Sequence, residues 1–175
     1  MRDLANSDNI REFIRIFGSL AKSEAAVYFT GGSTAVIEGW RDTTLDIDIK
    51  FDPELDELFR GIASLKERLK MNIELAAPSD FIPELPGWRD RSKYICREGK
   101  VTFYNYDPYS QALAKIERGH EKDLLDVEMM FSRGMIEPSK LLDLFLEIEP
   151  QLYKYPAIDP ASLSQAVTAT VEKHR

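Results

Sequence analysis

Between Thr43 and Phe51 the apolar residues Leu45, Ile47, Ile49 and Phe51 alternate with Thr44, Asp46, Asp48 and Lys50. A side-chain period of two belongs to a β-strand with one face covered, so the chain needs a sheet packed on something apolar. That excludes an all-helical bundle and puts both aspartates on the uncovered face. The flanking patterns supply the covering layer. From Ser7 onward Ile10, Phe13, Ile14, Phe17 and Ala21 recur at helical spacing, with Ser7 or Asp8 as the cap. Residues 25 to 30 form a short β-prone run that stops at Gly31-Gly32, and Ser33 opens a short helix that ends before Gly39. Pro53 fits the first turn of a helix running to about Lys70, with Leu55, Leu58, Phe59, Ile62 and Leu65 along one side. Met71 to Ala76 is a third strand, with Ile73 and Leu75 on one face and Asn72 and Glu74 on the other.

Pro78, Pro83 and Pro86 interrupt regular structure as far as Ser92. So long a connection is either a functional loop or an inert surface one. Lys93 to Arg97 and Val101 to Tyr106 read as a β-hairpin turning at Glu98-Gly99-Lys100, followed by helical patterns from Pro108 to Arg133, from Pro138 to Tyr153 and from about Pro160. The expected class is therefore α/β (α+β): a small mixed sheet with flanking helices over residues 1–107, and a helical portion over 108–175 packed on it as one domain. A chain of 175 residues, 43% hydrophobic and 30% charged, holds one core and is neither disordered nor disulfide-dense. The lone Cys96 forms no internal disulfide. Neither a signal-peptide pattern nor an apolar run of membrane-spanning length is present, so a soluble cytoplasmic protein without membrane contact is expected. The net charge of −7 makes any contact with nucleic acid local.

Two carboxylates side by side repel each other unless a cation lies between them, and their hard oxygens suit Mg²⁺ or Mn²⁺. A solvated polar strand face has the same spacing, so the pair alone decides nothing. Gly31-Gly32-Ser33 adds a turn where a phosphate can approach the backbone, at a helix N-terminus with unpaired N–H groups and a hydroxyl donor. Glu74 lies between two core residues of the next strand, where it can join Asp46 and Asp48. The combination points to a metal-bound nucleoside triphosphate.

Phe29-Thr30-Gly31-Gly32-Ser33, then Leu45-Asp46-Ile47-Asp48-Ile49, then Ile73-Glu74-Leu75 resemble the nucleotidyltransferase superfamily with its polymerase-β-like fold. Arg41 to Asp48, with the later Lys115 to Asp126, is similar to its AbiEii-type branch, which contains toxins of bacterial toxin and antitoxin pairs. The resemblance implies transfer of a nucleoside monophosphate to an acceptor hydroxyl. Asp46, Asp48 and Glu74 would be metal ligands and catalytic groups, Lys115 a further catalytic group, and Gly31, Gly32, Ser33, Lys122 and Asp126 nucleotide contacts. The implied acceptor is an RNA such as a tRNA end or a protein, with an antitoxin as partner. On a continuous helix Lys115, Arg118, Lys122 and Asp126 fall within about 80° of one another, although Gly119 is a candidate break and a solvated face fits the same spacing.

Between Trp88 and Lys100 a net +3 stands out from the acidic chain, and Arg89, Arg91 and Lys93 are the expected acceptor-binding residues. Trp88, Tyr94, Phe103, Tyr104 and Tyr106 either stack bases or pack across the hairpin. Two rival classes share these features: a catalytically silent binding or regulatory module, and a phosphate hydrolase using the same metals.

Overall fold

A computed structural model describes residues 2–175. The chain divides into two compact units, one of residues 1–77 and 92–106, the other of residues 78–91 and 107–175. The mixed α/β architecture agrees with the sequence.

In the first unit a five-stranded sheet has the order β3-β2-β1-β5-β4. Its strands are β1 Ala25–Thr30, β2 Asp46–Asp52, β3 Asn72–Leu75, β4 Lys93–Glu98 and β5 Val101–Asn105. β2 and β4 run antiparallel to their central neighbours, while β1 pairs β5 and β2 pairs β3 in parallel. The alternation in β2 sends Ile47, Ile49 and Phe51 to the core face with Val27, Phe29, Ile73, Val101 and Phe103. Two helices cover that face: α1, Ser7–Gly18, through Ile10, Phe13 and Phe17, and α3, Asp56–Leu69, through Leu58, Ile62 and Leu65. Phe13 stacks on Phe17 at 5.0 Å between centroids and meets Phe29 edge-on at 5.8 Å, the offset geometries aromatic rings prefer. The third helix of this unit, α2, spans Gly31–Glu38.

Two boundaries differ from expectation. Asn6 caps α1, not Ser7 or Asp8, because its side chain accepts the Asn9 N–H while the Asn9 side chain accepts the Asn6 N–H, a reciprocal capping box. Pro53 lies outside α3, which starts at Asp56 behind Leu55.

In the second unit, the proline-rich stretch is neither a loop throughout nor confined to the surface. It carries a short 3₁₀ turn, Pro78–Asp80, and a single-turn helix α4, Trp88–Arg91, and it buries Ile82, Leu85 and Trp88. The remaining helices are α5 Pro108–Arg118, α6 Glu121–Ser132, α7 Pro138–Ile148 and α8 Pro160–His174. The expected helix from Pro108 to Arg133 is two helices, because Gly119 adopts φ 70 as the left-handed C-cap of α5. Among the described residues no helix is long and apolar enough to cross a membrane.

Candidate active site

Register brings the acidic residues together. Asp48 stands opposite Thr30 of β1 on one side and Glu74 of β3 on the other, and Asp46 stands opposite Asn72. Paired residues project from the same face of a sheet, so the pleat that buries Ile47 and Ile73 also gathers Asp46, Asp48 and Glu74 on the opposite face. One carboxylate oxygen of each lies within 4.8 Å of the others. Asp46 and Asp48 are half-buried and Glu74 is exposed.

The donor set fits a small divalent cation. All three groups are hard anionic oxygens, and an octahedral magnesium needs adjacent oxygens about 3 Å apart, which modest side-chain rotation provides. The glycine turn abuts this cluster. Gly31 has φ 60, and a Cβ built on it would lie 2.6 Å from Asp48 Oδ2, so only glycine allows the backbone so close to that carboxylate. A Cβ on Gly32 would collide with Thr44 Oγ1 and lie 3.3 Å from Arg41 Nη1. The turn is thus pressed between the carboxylate cluster and a guanidinium.

The start of α2 has no side-chain cap, since the Thr30 hydroxyl donates instead to the Ala76 carbonyl at 2.9 Å. First-turn N–H groups of such a helix suit an anion. Ser33 differs from expectation. It is fully buried, and its hydroxyl points at the Asp46 carbonyl at 3.5 Å, with Thr44 donating to the same carbonyl at 3.2 Å. Its hydroxyl therefore helps to fix the turn against the start of β2.

Asn72 and Arg41 escape sequence reasoning. The Asn72 amide donates to Asp46 Oδ1 at 2.6 Å and to Glu74 Oε1 at 2.8 Å, bridging two carboxylates that would otherwise repel. Its signal was available, two residues before Glu74 on the same strand face. Arg41 lies in the link between α2 and β2, and nothing in the local pattern announces that it reaches Gly32.

The remaining candidates lie on other elements. In the second unit Lys115 is buried, with its ammonium 2.8 Å from Asp126 and 3.4 Å from Asp123, and Arg118 also reaches Asp123 at 2.8 Å. The break at Gly119 replaces the expected stripe with this closed ion cluster and leaves Lys122 on the exposed side of α6. Arg91 grips the fully buried Asp107 through two hydrogen bonds of 3.1 and 2.8 Å and donates to the Pro86 carbonyl. Arg89 lies over the Trp88 ring at 4.4 Å. In the first unit Lys93 pairs with Glu38 at 3.1 Å, and Arg97 with Glu24 at 2.7 Å. Arg91, Lys93 and Arg97 thus each face a carboxylate, whereas Arg89 stays exposed beside a neutral ring. Trp88, Phe103 and Tyr106 are buried, and of the five aromatic residues only Tyr94 is exposed. Tyr94 meets Tyr104 edge-on, and Tyr104 stacks on Tyr28, as packing pairs do.

A glycine turn against an acidic strand, with a third carboxylate from the adjoining strand, is the arrangement of the nucleotidyltransferase class. Residues 6–159 match the family described as "Nucleotidyltransferase of unknown function (DUF6036)", and the chain belongs to that family. No curated protein and no solved structure matches the chain.

Proposed function

We propose that the protein transfers a nucleoside monophosphate from a nucleoside triphosphate to an acceptor hydroxyl. The observation that carries this reading is the convergence of Asp46, Asp48 and Glu74 beside the Gly31-Gly32 turn. Asp46 and Asp48, with Glu74, would hold Mg²⁺ or Mn²⁺, which when bound neutralises phosphate charge and polarises the phosphorus. The backbone at Gly31 and Gly32 and the uncapped start of α2 bind the phosphates, and the Arg41 guanidinium beside Gly32 adds positive charge there. Glu74, the exposed member, is placed to accept the acceptor's proton. Asn72 keeps the Asp46 and Glu74 carboxylates in register.

The AbiEii-like stretches at residues 41–48 and 115–126 support placing the chain near that branch, which contains toxins of bacterial toxin and antitoxin pairs. The Lys115, Asp123 and Asp126 cluster fixes α5 to α6 in this reading, since buried ion pairs satisfy one another. Calorimetric titration of each ribonucleoside triphosphate with Mg²⁺ tests the binding step. Incubation with α-labelled triphosphate and cell extract tests transfer. Absence of heat up to millimolar concentrations, together with absence of label in any macromolecule, would overturn it.

A further inference from the structure

β3 ends the sheet, and among the described residues no strand pairs with its outer side. The register shows which of its groups face outward. Asp48 is opposite Glu74, and the Ala76 N–H donates to the Ile49 carbonyl at 3.2 Å. In a parallel ladder alternate residues turn both backbone groups to the same neighbour, so Asn72, Glu74 and Ala76 bond to β2 while Ile73 and Leu75 present N–H and C=O to the open edge. A groove of about 540 Å³ follows this edge, walled by Phe59, Ile62 and Lys66 of α3 and by Leu75. Phe59 is 40% exposed and Leu75 48% exposed.

We infer that the acceptor is a side-chain hydroxyl of an extended peptide that adds as a strand to the open edge of β3. The inference rests on the nucleotidyltransferase reading and names its acceptor class. A strand laid on Ile73 and Leu75 takes main-chain hydrogen bonds from both, and its pleat alternates with theirs. Residues opposite Ile73 and Leu75 then enter the apolar groove under Phe59 and Ile62. The residue opposite Glu74 emerges on the carboxylate face, its Cα about 5 Å from that of Glu74. The expected recognition pattern is apolar, hydroxyl, apolar, with an acidic residue to meet Lys66.

Charge favours a peptide over a polyanion. Arg91, Lys93 and Arg97 are paired with Asp107, Glu38 and Glu24, and Lys100 donates to the Lys22 carbonyl. On a chain of net charge −7, with Arg91, Lys93 and Arg97 each facing a carboxylate, a phosphodiester chain would add one negative charge per nucleotide beside the acidic cluster, whereas a peptide backbone adds none. In the step itself the peptide hydroxyl oxygen bonds to the α-phosphorus, and its proton passes to Glu74. The bond from the α-phosphorus to the bridging oxygen of the β-phosphate breaks, and pyrophosphate leaves with that electron pair.

A pool of blocked heptapeptides with serine, threonine or tyrosine at the centre, and valine, isoleucine or leucine on either side, is added to the full ¹⁵N-labelled chain. The largest amide shifts are expected at Ile73 and Leu75. With Mg²⁺ and triphosphate, bound peptides should gain the mass of one nucleoside monophosphate less one water. Leu75→Pro deletes an outward N–H, a substitution edge strands tolerate, and Leu75→Lys puts a charge in the groove with the backbone intact. Both should lower peptide labelling by about tenfold or more while triphosphate affinity stays within about twofold. Unmodified peptides alongside labelled RNA in extract would overturn the inference and leave nucleotidyl transfer standing. Undiminished labelling of the extract acceptor by both Leu75 variants would do the same. Failure of triphosphate to bind at all would instead remove the reading beneath it.

Discussion

Replacing Gly31 with alanine separates backbone strain from damage to the site. At φ 60 an L-residue costs about 1–2 kcal/mol relative to glycine. For a chain of this length that lowers the melting temperature by roughly 2–8 °C. The new methyl would lie 2.6 Å from Asp48 Oδ2, inside van der Waals contact, so the carboxylate must rotate away or the turn must shift. Displacing one of three ligands should weaken Mg²⁺ or Mn²⁺ binding by about tenfold or more. Gly39→Ala is the matched control, because Gly39 has φ 94 yet a Cβ there would meet nothing within 4 Å. Thermal melts with and without cation, followed by calorimetric titration, read both effects. Gly39→Ala should lose stability and keep wild-type metal affinity, while Gly31→Ala loses both. Equal metal affinity in the two variants would refute the argument that the glycine turn and Asp48 form one site.

Asn72→Leu leaves the Asp46 and Glu74 carboxylates without their shared donor, so the metal-free protein should lose about 1–3 kcal/mol in urea titrations, with part regained in Mg²⁺. Lys115→Met removes the buried ammonium that Asp126 and Asp123 share and should destabilise the chain by about 3–5 kcal/mol, whereas the double variant Lys115→Met, Asp126→Leu should recover much of the loss in denaturant titration. Arg91→Ala should be comparably destabilising, because Asp107 is fully buried; a variant that unfolds like wild type would return Arg91 to the candidates for acceptor contact. A hydrogen bond from Lys173, then one from His174, holds the Glu128 carboxyl below its ordinary value of 4.5. Its contribution is therefore complete above that value and lost as pH falls through the lower folded one. Glu128 is partly exposed, so melts of wild type and Glu128→Gln should differ in acid slope by less than about 1 kcal/mol.

The strict alternation from Thr43 to Phe51 made β2 and its acidic face legible, because a period of two permits only one covering of a strand. Glu74 was legible for the same reason, and register then supplied what spacing cannot, the side-by-side placement of β2 and β3. Asn72 carried a readable position but an ambiguous residue type, since an exposed asparagine is ordinary until two carboxylates are known to flank it. The partners of Arg91, Lys93 and Arg97 lie 16, 55 and 73 residues away, so no local window distinguishes them from an open basic patch. Trp88 heads a one-turn helix and is buried, as are Ile82 and Leu85, a grouping that the proline spacing hides. Gly119 was read as a candidate break; its left-handed cap turned a continuous lysine stripe into an ion cluster.

Each unit is built from two stretches of chain, which orders events during synthesis. β1 is complete by residue 30, yet its parallel neighbour β5 pairs Ala25 with Val101, closing a loop of more than seventy residues. A nascent chain lacking residues 101–105 contains all of β1, β2 and β3, but not the strand that pairs with the other side of β1. Such non-local closure is slow compared with helix formation. The strands that carry the acidic cluster are therefore all synthesised before the strand that completes the sheet beside them. A cut just before Asp107 would leave the helical unit without residues 78–91, and with them Trp88 and the arginine that neutralises Asp107.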